Sequence, residues 1–198
     1  FFFLKEDSHP EPKRMIFKVF LAGAFATIPA FYFQVFSKEA INIFGFEDYG
    51  FVFLVVSAAI EEILKFLAAY LIVKKSRFFD EPIDAMIYMV VSALGFAMVE
   101  NIASVFGAND LSDAIGITIL RFVGATLLHA LSSGLLGYYW AKSKIFRGII
   151  YSTVLHGIFN YLIINYNNAI IFFPMILLVI MAIFVFWDFE KIKIKSQI

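Results

Sequence analysis

Three charged side chains lie in the middle of a long apolar segment. Residues 51–73 are numerous enough to cross a bilayer as a helix at about 1.5 Å per residue. Glu61, Glu62 and Lys65 occur near the centre of this segment, where each charge costs at least about 2.5–3.5 kcal/mol on insertion. A chain tolerates such charges when they face a partner or a water-filled cavity. The segment therefore predicts a membrane helix with a polar site around it.

The spacing of these charges supplies partners within one helix. Lys65 follows Glu61 by four residues and Glu62 by three, so either carboxylate can reach the amine on one helix face. The two acids point about 100° apart around the helix axis. We therefore expect one acid to pair with Lys65 and to leave the other for chemistry.

The composition supports the membrane class. The 198 residues are 62% hydrophobic, compared with about 45–50% in ordinary soluble domains. We expect an all-α integral membrane protein that forms a single domain over residues 1–198, surrounded by the lipid bilayer and without a nucleic-acid partner. The sequence has no cysteine, which excludes disulfides, thiol nucleophiles and cysteine metal ligands.

Six apolar stretches predict a polytopic bundle of about six transmembrane helices. They cover about 15–36, 51–73, 83–106, 114–141, 145–166 and 169–187. Pro29 is expected to kink or break the first helix, and a mixed loop with a short interfacial helix is expected at 37–49. The fourth helix is long enough to be tilted or broken at a glycine. The run FFFL at the start is interpreted as the end of an earlier membrane helix.

Lysine and arginine cluster at alternate connections between the predicted helices. Four clusters, at 5–18, 74–77, 142–147 and 191–195, hold 13 of the 16 basic residues. The other connections contain only Lys38. Because basic residues concentrate on the cytoplasmic side of membrane proteins, we expect both ends of this chain to be cytoplasmic.

The remaining ionisable residues inside the predicted helices are Glu100, Arg121, His129 and His156. Glu61 and both histidines lie at similar depth, about 16–18 Å from the cytoplasmic ends of their helices, and Glu100 lies slightly deeper. Asn160 follows His156 by four residues, so the two side chains share one helix face. A lone membrane histidine is often a helix–helix hydrogen bond, and Arg121 is interpreted as structural. Three glutamates and two histidines on four consecutive helices nevertheless resemble an active site.

One chemistry that fits this set is zinc-dependent hydrolysis of a peptide bond. Zinc in catalytic sites takes three protein ligands and keeps an open position for water. Glu100, His129 and His156 can supply the ligands. Glu61 or Glu62 can then act as the general base, and the sequence does not decide between them.

Other interpretations of the same residues stay open at this point. In a metal-free protease, a buried glutamate is the general base, while His156 and Asn160 donate hydrogen bonds to the developing oxyanion. Intramembrane Glu, His and Lys residues also form proton relays, as in a proton-coupled transporter. A third interpretation is a non-catalytic membrane protein that binds peptides in the same cavity.

Short motifs along the chain resemble those of a known family. EEILK fits an EExxK motif, GFAMVEN an FxxxEN motif and HGIFN an HxxxN-type motif, with His129 between the last two. In this order, with EPKR before the first long helix and DEPIDAMIY before the third, nearly the whole chain resembles the PrsW family of bacterial intramembrane proteases. It is more distantly similar to the CAAX prenyl endopeptidases.

The resemblance implies an intramembrane endopeptidase of a bacterial or archaeal cell membrane that cleaves membrane-anchored protein substrates. An anti-sigma factor is the substrate type that the resemblance suggests. The catalytic residues implied are Glu61, Glu62, Lys65, Glu100, His129, His156 and Asn160. The substrate itself and the oligomeric state stay open.

Overall fold

The computed structural model describes residues 10–48, 50–165 and 172–196, and all regular elements within these ranges are helical. The helices are α1 (Lys13–Ile43), α2 (Phe51–Val73), α3 (Asp84–Val105), α4 (Leu111–Leu120), α5 (Thr126–Ala141), α6 (Ile145–Asn165) and α7 (Phe172–Ser196). A π-helical turn, Arg121–Ala125, joins α4 to α5. The predicted all-α class is confirmed.

Five of the helices pack in a closed cycle. α1 contacts α2 and α3, α3 contacts α5, α5 contacts α6, and α6 returns to α2. α7 packs mainly against α5. The bounds of α2 coincide with the predicted 51–73. This helix, which carries the central charges, contacts α1, α3, α5 and α6.

The first helix is longer than predicted, because it covers Lys13–Ile43 instead of 15–36. The region predicted as a mixed loop is helical as far as Ile43, and the predicted interfacial helix is the last turn of α1. Lys38, Glu39 and Ala40 favour helix in this region. The next glycine along the chain, Gly45, has a φ of 79°, and this left-handed conformation ends the helix. The helix continues unbroken through Pro29.

The last helix extends to Ser196 instead of ending at 187. Phe189 and Ile192 are buried on this extension, and Lys191 Nζ lies 3.5 Å from Asp188 Oδ1, so packing and an ion pair prolong the helix. The predicted start at 169 and the predicted end of the fifth helix at 166 lie outside the described residues. The fourth predicted helix, expected to be tilted or broken at a glycine, is helical throughout and contains the π-helical turn, which includes Gly124.

Within the described ranges, four helical stretches are long and apolar enough to cross a membrane. By length and composition these are Lys13–Ile43, Asp84–Val105, Ala114–Ala141 and Phe172–Lys193. α2 has the length but carries three charged residues near its centre. Large apolar side chains such as Phe25, Phe122 and Ile183 are exposed on the bundle surface, which suits contact with lipid. The chain is a helical membrane bundle.

Glycines bring α1 and α3 together backbone to backbone. A Cβ atom added at Gly95 would lie 2.0 Å from the Phe20 carbonyl oxygen, and one added at Gly23 would lie 2.0 Å from the Ser92 carbonyl oxygen. Small residues at such crossings allow close helix packing in membranes. The separation of α1 and α3 therefore depends on these two positions having no side chain.

We expect Gly95→Ala to destabilise the bundle by about 1–3 kcal/mol, because the added methyl group must push α1 and α3 apart. Thermal unfolding in detergent measures this effect as a lower melting temperature. Gly116→Ala is the matched control, since nothing lies within 4 Å of a Cβ at Gly116. Equal melting temperatures for the two variants would contradict the prediction.

Candidate functional site

Lys65 occupies the centre of a buried polar cluster. Its Nζ lies 2.9 Å from Glu62 Oε1, 3.4 Å from Glu61 Oε2 and 2.7 Å from His129 Nδ1. The ring of Phe96 covers the ammonium group at 4.7 Å from its centroid, an arrangement that adds a cation–π attraction. The amine therefore reaches both acids instead of the one expected, and it is closer to Glu62.

Glu62 is fully buried and surrounded by hydrogen-bond donors. Its Oε1 accepts from Lys65 and from Ser132 Oγ at 3.0 Å, and it lies 2.9 Å from His156 Nδ1. Ser133 Oγ donates to Oε2 at 2.8 Å. Both oxygens thus have the partners that a buried carboxylate requires. This arrangement suits Glu62 to orienting its neighbours.

The two histidines meet at Glu61. His156 Nε2 lies 3.5 Å from Glu61 Oε2, and His129 Nδ1 lies 3.8 Å from the same oxygen. One ligand atom from each of the three residues lies within 4.8 Å of the others. Two histidines and a carboxylate in this arrangement can hold a metal ion.

Each imidazole has its second nitrogen on another carboxylate. His156 Nδ1 faces Glu62, and His129 Nε2 lies 2.9 Å from Glu100 Oε2. Metal-ligating histidines usually donate their other N–H to such a group, which fixes the tautomer and the ring orientation. The glutamates and histidines predicted to share one layer are therefore brought into one cluster.

Glu100 is the more accessible acid of this cluster. Its side chain is 27% exposed, whereas that of Glu62 is 0% exposed. Besides His129, its Oε2 lies 3.3 Å from Arg121 Nη2. The neighbouring Asn101 accepts a hydrogen bond from Arg121 Nε at 3.0 Å.

A cavity of about 770 Å³ borders the cluster, within the size range of small-ligand sites. Its polar wall consists of Gln34, Glu61, Glu100, Arg121, His129, His156 and Asn160, together with hydroxyl groups. Its apolar wall includes Ile28, Phe31, Ile163 and Ile164. The predicted oxyanion donors, His156 and Asn160, thus face the same space as Glu61, while Glu62 and Lys65 do not line it.

Two residues of the cavity wall that contact its carboxylates, Gln34 and Arg121, were not among the predicted site residues. Gln34, on α1, donates its Nε2–H to Glu61 Oε1 at 2.9 Å. An amide inside the apolar first helix was the signal that could have indicated it. Arg121 was interpreted as a structural partner for an acid or for the headgroup side; it pairs with Glu100, and the π-helical turn also places it on the cavity wall.

The formal charges leave one carboxylate in excess. Lys65 lies closest to Glu62, and Arg121 pairs with Glu100, so Glu61 has only the longer contact with Lys65, at 3.4 Å, besides two histidines and an amide. Three carboxylates face two fixed cations, which gives a formal charge of −1 when the histidines are neutral. Carboxylate and imidazole donors with excess negative charge suit a divalent cation such as zinc.

Comparisons with known proteins give one consistent result. A family model described as PrsW family intramembrane metalloprotease matches residues 11–187. Protease PrsW of Clostridioides difficile is 30% identical over 94% of this chain and 80% of its own length. Protease PrsW of Geobacillus kaustophilus is 29% identical over 83% of this chain and 73% of its own length, and that of Bacillus subtilis is 26% identical over 86% and 79%. No solved structure matches the chain.

We expect Ser133→Ala to lower the free energy of unfolding more than Ser132→Ala does. Among the described residues, Ser133 supplies the only hydrogen bond to Glu62 Oε2, while Oε1 retains Lys65 and His156 when Ser132 is replaced. Leaving a buried acceptor unpaired costs about 1–3 kcal/mol. Melting temperatures of the two variants in detergent test the difference, and an equal loss would contradict it.

Proposed function

The chain belongs to the PrsW family of intramembrane metalloproteases, and from this premise we propose that it cleaves membrane-anchored protein substrates in the cavity beside Glu61. Membership of this family makes the chain an intramembrane protease, and not the transporter or the non-catalytic peptide-binding protein that the sequence also allowed. The observation that carries the proposal is the convergence of Glu61, His129 and His156 within 4.8 Å on the wall of a cavity large enough for a peptide segment.

Glu61, His129 and His156 are the residues proposed to hold the metal ion, which we propose to be zinc. They replace the set Glu100, His129 and His156 that the sequence suggested, because Glu61 lies next to both imidazoles and shares Lys65 with Glu62, to which the amine is closer. When bound, zinc supplies an activated water and polarises the scissile carbonyl group.

The protein's own groups prepare the histidines for this role. The Glu62 carboxylate accepts the Nδ1–H of His156, which leaves Nε2 as the acceptor that faces Glu61. At His129, the Lys65 ammonium can only donate, so Nδ1 must be the acceptor and the proton lies on Nε2. Glu100 then accepts the Nε2–H of His129, as Glu62 accepts the Nδ1–H of His156. Ligation at His129 Nδ1 requires the Lys65 contact to open.

Glu100 is proposed as the general base. A general base must lie within hydrogen-bond reach of the water it deprotonates, and Glu100 lines the cavity and is partly exposed. Glu62, the other candidate beside Glu61, is fully buried and engaged by donors. Glu100 can accept the proton of the attacking water and return it to the leaving amine.

One observation favours the metal-free version of the same function. Both nitrogens of His129 are already engaged, by Lys65 at 2.7 Å and by Glu100 at 2.9 Å. In that version Glu61 and Glu100, both on the cavity wall, provide the base. The side-chain amide of Asn160, which lines the cavity, donates a hydrogen bond to the developing oxyanion, and His156 does so only as an imidazolium, which carries a proton on both nitrogens.

The substrate is proposed to enter as an apolar segment anchored in the membrane. The cavity wall combines the catalytic groups with apolar side chains, including Ile28, Phe31 and Ile163. An anti-sigma factor is the substrate type suggested by the family alone. The alternating basic clusters support cytoplasmic ends for this chain.

We expect Glu61→Gln, Glu100→Gln and His156→Ala each to lower cleavage by at least about 100-fold, since each removes a ligand, base or oxyanion donor. The substrate mixture is total membrane protein from bacterial cells, and mass spectrometry of newly formed N-termini measures cleavage. Glu39→Gln, an exposed glutamate near the end of α1, is the control and should cleave normally. Full cleavage by all three site variants would overturn the proposed function.

We expect the purified protein to contain about one zinc ion per chain and to lose it in the double variant His129→Ala, His156→Ala. Elemental analysis of protein purified without a histidine tag measures the content. His9→Ala, which changes the third histidine, is the matched control and should retain the metal. Wild-type protein that is active without metal would overturn the proposed zinc site and support the metal-free version.

A further inference from the structure

Among the described residues, Arg121 carries the only fixed positive charge on the cavity wall. Its side chain is 29% exposed and contacts α3 through both Nε and Nη2. Nη2 lies 3.3 Å from Glu100 Oε2, and Nε donates to Asn101 Oδ1 at 3.0 Å. One arginine therefore contacts two consecutive residues, of which the first is the proposed general base.

The π-helical turn explains how Arg121 reaches this wall. Arg121 precedes His129 by eight residues, and in a regular α-helix two such residues point about 80° apart. The turn Arg121–Ala125 has i→i+5 hydrogen bonding, which takes up an extra residue and reduces that angle. Arg121 and His129 consequently line the same cavity and contact the same oxygen of Glu100.

A closed circuit of hydrogen bonds fixes the arginine at the turn. Asn101 Nδ2 donates to Thr126 Oγ1 at 2.9 Å, and Thr126 Oγ1 donates to the Arg121 carbonyl oxygen at 3.3 Å. With the Arg121–Asn101 bond, the circuit joins α3 to the beginning of α5. The guanidinium group is therefore held in place independently of Glu100.

We propose that Arg121 is a positioning residue that holds the Glu100 carboxylate toward His129 and the cavity. This inference rests on the proposed function, in which Glu100 is the general base. A planar guanidinium can contact Glu100 and Asn101 at once, whereas a lysine amine has a single nitrogen. Without Arg121, the partly exposed carboxylate keeps only His129 as a hydrogen-bond partner among the described residues and is free to rotate away from the water it deprotonates.

The test uses a single-span reporter protein that carries a cleavage segment found in the membrane-protein digest. We expect Arg121→Gln to lower kcat about 10–100-fold, the usual effect of losing an orienting contact, with KM within about twofold of wild type. Zinc content should be unchanged. Arg121→Lys should recover part of kcat, because it retains a charge beside Glu100. Arg147→Gln, an exposed arginine on α6, is the matched control and should leave kcat unchanged.

A double variant distinguishes positioning of Glu100 from an independent role. If Arg121 acts through Glu100, Arg121→Gln should lower kcat no further in a Glu100→Gln background. A further fall by the same factor, an unchanged kcat in Arg121→Gln alone, or no recovery in Arg121→Lys would each overturn the inference. If Glu100→Gln has no measurable activity, the inference is tested by kcat of the single variants: Arg121→Lys must lie between wild type and Arg121→Gln.

The same measurements separate this inference from the function it rests on. Normal cleavage by Glu100→Gln, or no cleavage by the wild-type protein, would remove the general base or the protease function itself. Loss of cleavage in Glu100→Gln together with a normal kcat in Arg121→Gln would overturn the role of Arg121 and leave the proposed function intact.

Discussion

The burial of the Lys65 ammonium group is the constraint on which the rest of the structure depends. A buried charge is costly unless it is paired and hydrogen-bonded, and Lys65 is 0% exposed. Glu61 and Glu62 come from its own helix, but His129 must come from α5. Glu62 in turn requires Ser132, Ser133 and His156. Pairing one amine therefore fixes the register of α5 and α6 against α2.

Two adjacent glutamates perform different tasks because a helix turns them about 100° apart. Glu62 points into the contact with α5, where serine hydroxyls surround it, and Glu61 borders the cavity and the two histidines. One dipeptide thereby supplies both the structural anion that lies closest to Lys65 and the carboxylate proposed as a metal ligand. The structural pairing also keeps the imidazole of His156 in a single orientation, so stability and chemistry share the same contacts.

The membrane helices and the convergence of their acids and histidines were predictable, because apolar length and depth along each helix depend on local sequence. The ends of α1 and α7 were not, since helix propensity continues beyond the apolar stretch that enters the membrane. The spacing of Glu61, Glu62 and Lys65 allows either acid to pair with the amine, and only the serines of α5 distinguish the two. The position of Arg121 on the cavity wall escaped prediction because the π-helical turn changes which residues share a face.

Lys65 also separates the metal-bound from the metal-free version of the site. While its ammonium donates to His129 Nδ1, the imidazole proton must lie on Nε2, toward Glu100. A metal ligand at Nδ1 requires this same tautomer. Exchange of the lysine contact for a metal ion thus needs no proton transfer at His129, and Lys65 already contacts Glu62 at 2.9 Å and Glu61 at 3.4 Å besides His129. The proposed metal therefore requires no change of tautomer at His129, and it would balance the one carboxylate charge that Lys65 and Arg121 leave in excess.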